Sequence, residues 1–254
     1  MKWNAELYGI FAKERLQPAL DLLNRVPDGE YHRIIDIGCG SGMSTLPLLH
    51  RFENAEISGV DLSEEMLQQA KTLTQKVKWI KRDCSRPFSD MGRFDLVFSN
   101  AFLQWLPDQE GFIKNVADIL DTNGIFALQV PDYDDMPVKK CADAAAGFYG
   151  SRFDGTEKTI CHNRSLYEYY DMLCGHFGDI EIWQTKYSHI MDDHDAIVRF
   201  VSATGIRPYL EILNKDEQED FKNRLAGELE KVYPVRKNGR IIFPFERIEF
   251  IARK

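Results

Sequence analysis

The sequence predicts an α/β fold built on a mostly parallel, doubly wound sheet. Three observations carry this. Short apolar runs recur at 33–37, 56–60, 77–81, 94–98 and 124–130. Segments of helical patterning separate them, and alternation of strand and helix signatures marks βαβ units. A glycine-rich turn, Gly38-Cys39-Gly40-Ser41-Gly42, follows the first run directly.

Taken in order, the chain predicts an N-terminal helix over about Glu6 to Leu23, a strand at 33–37, a helix at 42–51 and a strand at 56–60. A helix at 63–73 follows, with Ser63 as N-cap and Glu64 and Glu65 complementing the dipole of its first turn. Then come a strand at 77–81, a strand at 94–98, a helix at 109–120 and a strand at 124–130, after which Pro131 and Pro137 end the periodic region. Residues 138–176 and 193–231 pattern as mainly helical. Asp179 to Met191 alternates as a sixth strand, and Arg240 to Arg253 forms a terminal seventh. The expected organisation is one domain over 1–254: a helix at 1–25, a ligand-binding core at 26–135, helical inserts at 136–177 and 192–233, and last strands at 178–191 and 240–254. Ligands of open α/β sheets bind outside the carboxyl ends of the strands, so the inserts are expected there.

Hydrophobic residues make up 44% of the chain and aromatics 12%, ample for a core of this kind. No apolar run reaches the ~18 residues of a membrane span. The opening Met1-Lys2-Trp3-Asn4 lacks signal-peptide character, so a cytoplasmic protein is expected. Cys39, Cys84, Cys141, Cys161 and Cys174 show no C-x-x-C spacing and read as free thiols. Cys161-His162 has no partners at metal-ligand spacing, so no metal is expected. A net charge of −8 without a Lys/Arg-rich block argues against nucleic acid as partner. Oligomeric state is not legible.

The glycine turn carries the chemistry. Glycine admits positive φ and close approach of backbone to ligand. Asp61, ending the second strand, is placed to accept from a ribose. The dinucleotide fingerprint is G-x-G-x-x-G, yet here the third glycine, Gly42, comes one position early and Met43 follows. Asp36, two residues before Gly38, would repel a pyrophosphate and attract an ammonium. S-adenosylmethionine offers an ammonium together with a ribose and an adenine. The Asp36–Gly42 stretch, with Asp61, resembles motif I of class I SAM-dependent methyltransferases. That resemblance implies a Rossmann-like seven-stranded sheet with the last strand antiparallel and helical inserts forming a lid.

Further cofactor-binding candidates follow from position. Asp83 and Cys84, after the third strand, could meet adenine through the Asp83 carboxylate and the Cys84 N–H; Leu62 and Met66 offer it apolar faces. Asn100 and Ala101, at the end of the fourth strand, are placed for the methionine moiety, and Gln104 and Trp105 for the substrate side. The bland alternatives are a turn-forming Asp83, helix packing for Met66 and core packing for Trp105.

Longer blocks sharpen the resemblance. They are Trp3-Asn4-x-x-Leu7-Tyr8-x-x-Phe11 with Arg15 and Pro18, Ser99 to Asp108, Gln129-Val130-Pro131-Asp132, Ile182 to Met191, Ala203-Thr204-Gly205-Ile206-Arg207-Pro208-Tyr209, and Phe245 to Arg253. Across nearly its whole length the chain resembles bacterial trans-aconitate 2-methyltransferases. It departs from them at Tyr133, at Tyr209, at Phe245-Glu246-Arg247 and over 134–165. The resemblance implies methylation of a small polycarboxylic acid and an aromatic lid of Trp3, Tyr8 and Phe11 over the sulfonium, residues whose helical spacing otherwise reads as core packing. Arg207 and Arg247 are candidates to hold carboxylates through guanidinium forks, each otherwise a surface salt bridge, and Tyr187, His189 and Tyr209 are candidates to line the substrate, His189 otherwise a wall residue. A carboxylate is ionised at pH 7, so no general base and no catalytic residue in that sense is expected. The alternatives are another small acid or a hydroxyl acceptor, for which His189 or Tyr187 would serve as base, a non-catalytic SAM-binding module, and an NAD-dependent oxidoreductase.

Overall fold

The structure, a computed structural model, describes residues 11–154 and 162–254. Its elements run α1 (Ala12–Arg25), β1 (Arg33–Ile37), α2 (Thr45–Arg51), β2 (Glu56–Asp61), α3 (Glu64–Leu73), β3 (Lys78–Lys81), β4 (Phe94–Asn100), α4 (Gln109–Ile119) and β5 (Leu120–Pro131). There follow α5 (Pro137–Gly147), α6 (Leu166–Cys174), β6 (Asp179–Met191), α7 (His194–Ser202), α8 (Arg207–Ile212), α9 (Lys215–Val232) and β7 (Ile241–Arg253).

The seven strands form one sheet in the order β3-β2-β1-β4-β5-β7-β6. β1 pairs in parallel with β2 and with β4, β2 with β3, and β4 with β5. β7 runs against its neighbours: Lys254 N–H donates to the Gly124 carbonyl at 3.1 Å while Asp132 N–H donates to the Glu246 carbonyl at 3.0 Å. On its other side, Gly178 N–H reaches the Arg253 carbonyl at 3.1 Å. Six parallel strands and one antiparallel strand are the layout the sequence implied.

The chain divides into two compact units. One comprises Lys13–Pro131, Arg164–Thr185 and Ile248–Lys254. Its strands bury both faces, as parallel sheets do. Ile35, Ile37, Val97, Phe126, Leu128 and Phe250 face one apolar cluster with Phe112 and Val116 of α4. Ile34, Leu96, Phe98, Ile125 and Ile251 face another with Leu22 and Leu23 of α1. The second unit covers, among described residues, 11–12, 132–154, 162–163 and 186–247. It has its own core, in which α5, α7 and α9 pack Ala142, Phe200, Phe221 and Leu225 with Phe243 and Phe245 of β7.

The α3 N-cap lies where the sequence placed it. Ser63 Oγ accepts the Met66 N–H at 3.3 Å to start α3. Two boundaries differ from expectation by three residues or more. The helix after the glycine turn begins at Thr45 rather than 42, because Gly42 has φ +85° and its carbonyl takes the Thr45 and Leu46 N–H groups. β5 begins at Leu120 rather than 124: Leu120 pairs with Phe94, and the register then shifts before Leu96, with Asn123 at φ +64° absorbing the extra chain. The proposed helix start at Glu6 lies outside the described residues.

Candidate functional site

The strand order reverses between β1 and β4, so the loops leaving these neighbours diverge and open a crevice at their carboxyl ends. The glycine turn leaves β1 there. Its first two N–H groups, Gly38 and Cys39, both donate to the Val60 carbonyl, at 2.8 and 3.0 Å. Gly38 has φ +77°, and a Cβ there would lie 2.3 Å from the Phe102 ring. At Gly42 a Cβ would meet Trp79 at 2.8 Å. Glycine is required at both positions by conformation and by space.

Asp61 ties this turn to β2. Its Oδ2 accepts the Gly40 N–H at 2.9 Å and its Oδ1 the Ser63 N–H at 2.8 Å. Burial raises its pKa, and the Ser63 and Gly40 N–H groups oppose that rise. Asp36 is fully buried beneath the turn, with Oδ2 accepting from Thr45 Oγ1 at 2.6 Å and Ser44 Oγ at 3.0 Å. Desolvation pushes its pKa up to about 6 against the two hydroxyl hydrogen bonds. The sequence placed this carboxylate beside a ligand; the side chain instead faces the hydroxyls of its own loop, because Thr45 begins the helix directly above it. Asp36 Oδ1 is buried with no hydrogen-bond partner among the described residues.

Leu62 is 62% exposed, an open apolar face beside Asp61, whereas Met66 is buried in α3. Asp83 Oδ1 accepts the Ser85 N–H at 3.0 Å and also its hydroxyl, an Asx turn, and Arg86 lies 3.5 Å from Oδ2. Cys84 is buried, which pushes its thiol pKa up to about 12. At the end of β4, Asn100 Oδ1 is buried without a partner among the described residues, and Ala101 takes φ +54°. Gln104 and Trp105 both turn toward the Ala101 carbonyl, with Nε2 at 2.9 Å and Nε1 at 3.2 Å. Ser99 Oγ donates to the Ile37 carbonyl at 2.8 Å, joining β4 to β1. Ser44, Thr45, Ser99 and Phe102 were missed by sequence reasoning; the polar pair just inside the new helix was the available signal.

The remaining candidates lie in the second unit. Arg207 is 7% exposed and donates through Nε to Glu211 at 2.9 Å. Arg247 is 6% exposed, its guanidinium 4.5 Å from the Phe245 ring centre. His189 is buried among aromatic rings, with Tyr187 nearly parallel at 6.2 Å and Phe200 at 5.5 Å. Phe11 packs edge-on against Phe200 at 5.3 Å. Tyr133 stands 6.5 Å from Phe245, and its ring occupies the space that a Cβ on Gly205 would need. Tyr209 is buried, stacked on Phe221 at 5.4 Å with its hydroxyl donating to Asp143 at 3.1 Å. Trp3, Tyr8 and Cys161 lie outside the described residues. Among those described, no cluster of His, Cys, Asp and Glu could hold a metal ion, and no helix is long and apolar enough to cross a membrane.

A glycine turn lies at the switch point, tied to the Asp61 carboxylate, with Leu62 exposed beside it. Comparison with known proteins gives the family. Residues 35–128 match the family model described as a methyltransferase domain. Trans-aconitate 2-methyltransferase of Azoarcus sp. (strain BH72) is 37% identical over 250 residues, covering 98% of each chain. That of Enterobacter sp. (strain 638) is 37% identical over 252 residues, covering 99% of this chain and 98% of its own. Among solved structures, the YcgJ protein of Bacillus subtilis superposes with a TM-score of 0.60 at 19% identity, covering 94% of this chain and 98% of that one. Phosphoethanolamine N-methyltransferase 2 of Haemonchus contortus, in complex with S-adenosyl-L-methionine, gives a TM-score of 0.59 at 18% identity, covering 98% and 57%. The chain is a SAM-dependent methyltransferase and belongs to the trans-aconitate 2-methyltransferase family.

Proposed function

We propose that this methyltransferase esterifies a carboxylate of a small polycarboxylic acid, with trans-aconitate as the acceptor. The observation that carries the reading is the pair of buried arginines, Arg207 and Arg247, in a unit with an extensive apolar core. Desolvating a guanidinium is costly unless an anion answers it, and the planar fork matches a carboxylate. Glu211 is one partner of Arg207 in this structure. The names of the relatives favour the same acid.

S-adenosylmethionine supplies an electrophilic methyl carbon on a positively charged sulfur. In this reading the Asp61 carboxylate accepts from the ribose while holding Gly40, Leu62 and Met66 flank the adenine, and Asp83 and the Cys84 N–H meet its edge. Asn100 and Ala101 border the methionine portion. Asp36 attracts the ammonium through its field from beneath the turn. The arginines hold the acceptor's spare carboxylates, so one oxygen is oriented and stripped of water for in-line attack. No side chain removes a proton, because the nucleophile is already an anion at neutral pH. His189, walled by Tyr187, Phe200, Phe243 and Phe245, shapes the aromatic surface. A reducing compartment suits the four free thiols among the described residues. The test is to incubate the protein with labelled SAM and a panel of di- and tricarboxylates and to identify products by mass spectrometry. A base-labile methyl ester of trans-aconitate is expected. Methylation only at a hydroxyl or nitrogen would overturn the reading.

A further inference from the structure

Ala101 is one of two non-glycine residues with positive φ among those described, at +54°. A residue with a Cβ enters this region only when its surroundings over-determine it. Three hydrogen bonds do so here. The Ala101 N–H donates to the Gln129 carbonyl at 2.8 Å, and the Ala101 carbonyl receives both Gln104 Nε2 and Trp105 Nε1. Both side-chain donors belong to the single 3₁₀ turn Leu103–Trp105. Phe102, between the strained residue and that turn, fills the space left by Gly38. One short segment therefore fixes the end of β4 and the first glycine together. On either side of the strain lie Asn100, with its buried unpartnered Oδ1, and a turn whose donors are spent on one carbonyl.

We infer that Gln104 and Trp105 are positioning residues of the cofactor site, acting through the Ala101 carbonyl to set the backbone that receives the methionine end of S-adenosylmethionine. The inference rests on the placement of Asn100 and Ala101 beside that end. Neither side chain touches the cofactor. Each supplies a donor that holds Ala101 in the left-handed conformation, and without it the residue relaxes toward the extended region that alanine prefers. The adenosyl end depends on Asp61 and the β2 and β3 loops, whereas the Gln104 and Trp105 donors both go to the Ala101 carbonyl.

The two ends can be separated by ligand. S-adenosylhomocysteine carries the amino-acid end; methylthioadenosine carries the same nucleoside without it. Calorimetry on Trp105→Phe and Gln104→Leu should show S-adenosylhomocysteine affinity reduced on the order of tenfold for each, the scale of one lost hydrogen bond in a strained site. Methylthioadenosine affinity should change less than about twofold. Ala101→Gly placed in the Trp105→Phe background should restore much of the loss, because glycine holds positive φ without the clamp. Equal losses on both ligands, no loss on either, or failure of the glycine to rescue would overturn the inference. A wild-type protein that binds methylthioadenosine but not S-adenosylhomocysteine would instead remove the placement of Asn100 and Ala101 on which it rests. Should Gln104→Leu not fold, Trp105→Phe, which keeps an aromatic ring, and its rescue carry the test alone.

Discussion

Gly40 donates its N–H to Asp61 Oδ2 at 2.9 Å, so the glycine turn after β1 and the end of β2 form one hydrogen-bonded unit. A single carboxylate thus shapes the turn, and in the proposed function it meets the ribose as well. Asp61→Ala should weaken SAM binding by roughly 1–3 kcal/mol, the cost of losing a charged partner in a buried site. Asp61→Asn, which keeps an acceptor for Gly40, should lose less. Wild-type affinity in Asp61→Ala, measured by calorimetry, would remove Asp61 from the site.

Asp36 predicts a pH dependence of cofactor binding. Its pKa stands at about 6 against an ordinary 3.8, so the folded protein binds this proton more readily than the unfolded chain. Its contribution to stability is therefore best at low pH and falls as pH rises from about 4 to 6. Above that window it is a constant penalty on the order of 3 kcal/mol, from about two pKa units at ~1.4 kcal/mol each. A cationic ligand above it favours the ionised form. SAM should bind more tightly above pH 6 than below, releasing a fraction of a proton near pH 6, and Asp36→Asn should abolish that release. Calorimetry in two buffers of different ionisation enthalpy reads it directly; identical heats in both would contradict a field acting on the ammonium.

Gly205 and Tyr133 make a tight pair: a Cβ on Gly205 would lie 2.6 Å from the Tyr133 hydroxyl and ring. Gly205→Ala should lower stability by about 1–3 kcal/mol through overpacking. Tyr133→Asn in the same chain should relieve most of that loss in a thermal melt. A neutral Gly205→Ala would mean the loop shifts freely.

Arg207→Lys keeps the charge and loses the fork that also serves Glu211. A large fall in kcat/KM for the acid is expected, on the order of 10²-fold, with SAM affinity little changed. Near-normal turnover on every acid tested would make Arg207 structural.

The sheet was legible in the sequence because parallel strands buried on both faces leave near-continuous apolar runs, and the glycine turn between Asp36 and Asp61 marked the carboxyl end of β1. What could not be read was side-chain direction. Asp36 looked like a ligand contact because of its place before Gly38, but the hydroxyls of Ser44 and Thr45 turn it inward. Gln104 and Trp105 looked like substrate residues, yet the demand they answer is a backbone carbonyl at Ala101, whose positive φ no alanine advertises. Tyr209 read as part of the arginine block, and its stacking on Phe221 could not be read there. The extra start of β5 depends on the pairing of Leu120 with Phe94, a long-range choice invisible to local pattern.

An acceptor that arrives already ionised needs no residue as base, and the dependence of kcat on pH at saturating SAM and acid reads this out. With a carboxylate nucleophile of pKa near ~4, kcat should stay flat from about pH 6 to 9, and His189→Asn and Tyr187→Phe should cost at most about tenfold, ~1.4 kcal/mol. A rise in kcat through pH 7 that disappears in His189→Asn, with a loss of roughly 10² to 10⁴, would contradict the account and assign His189 as base for a hydroxyl.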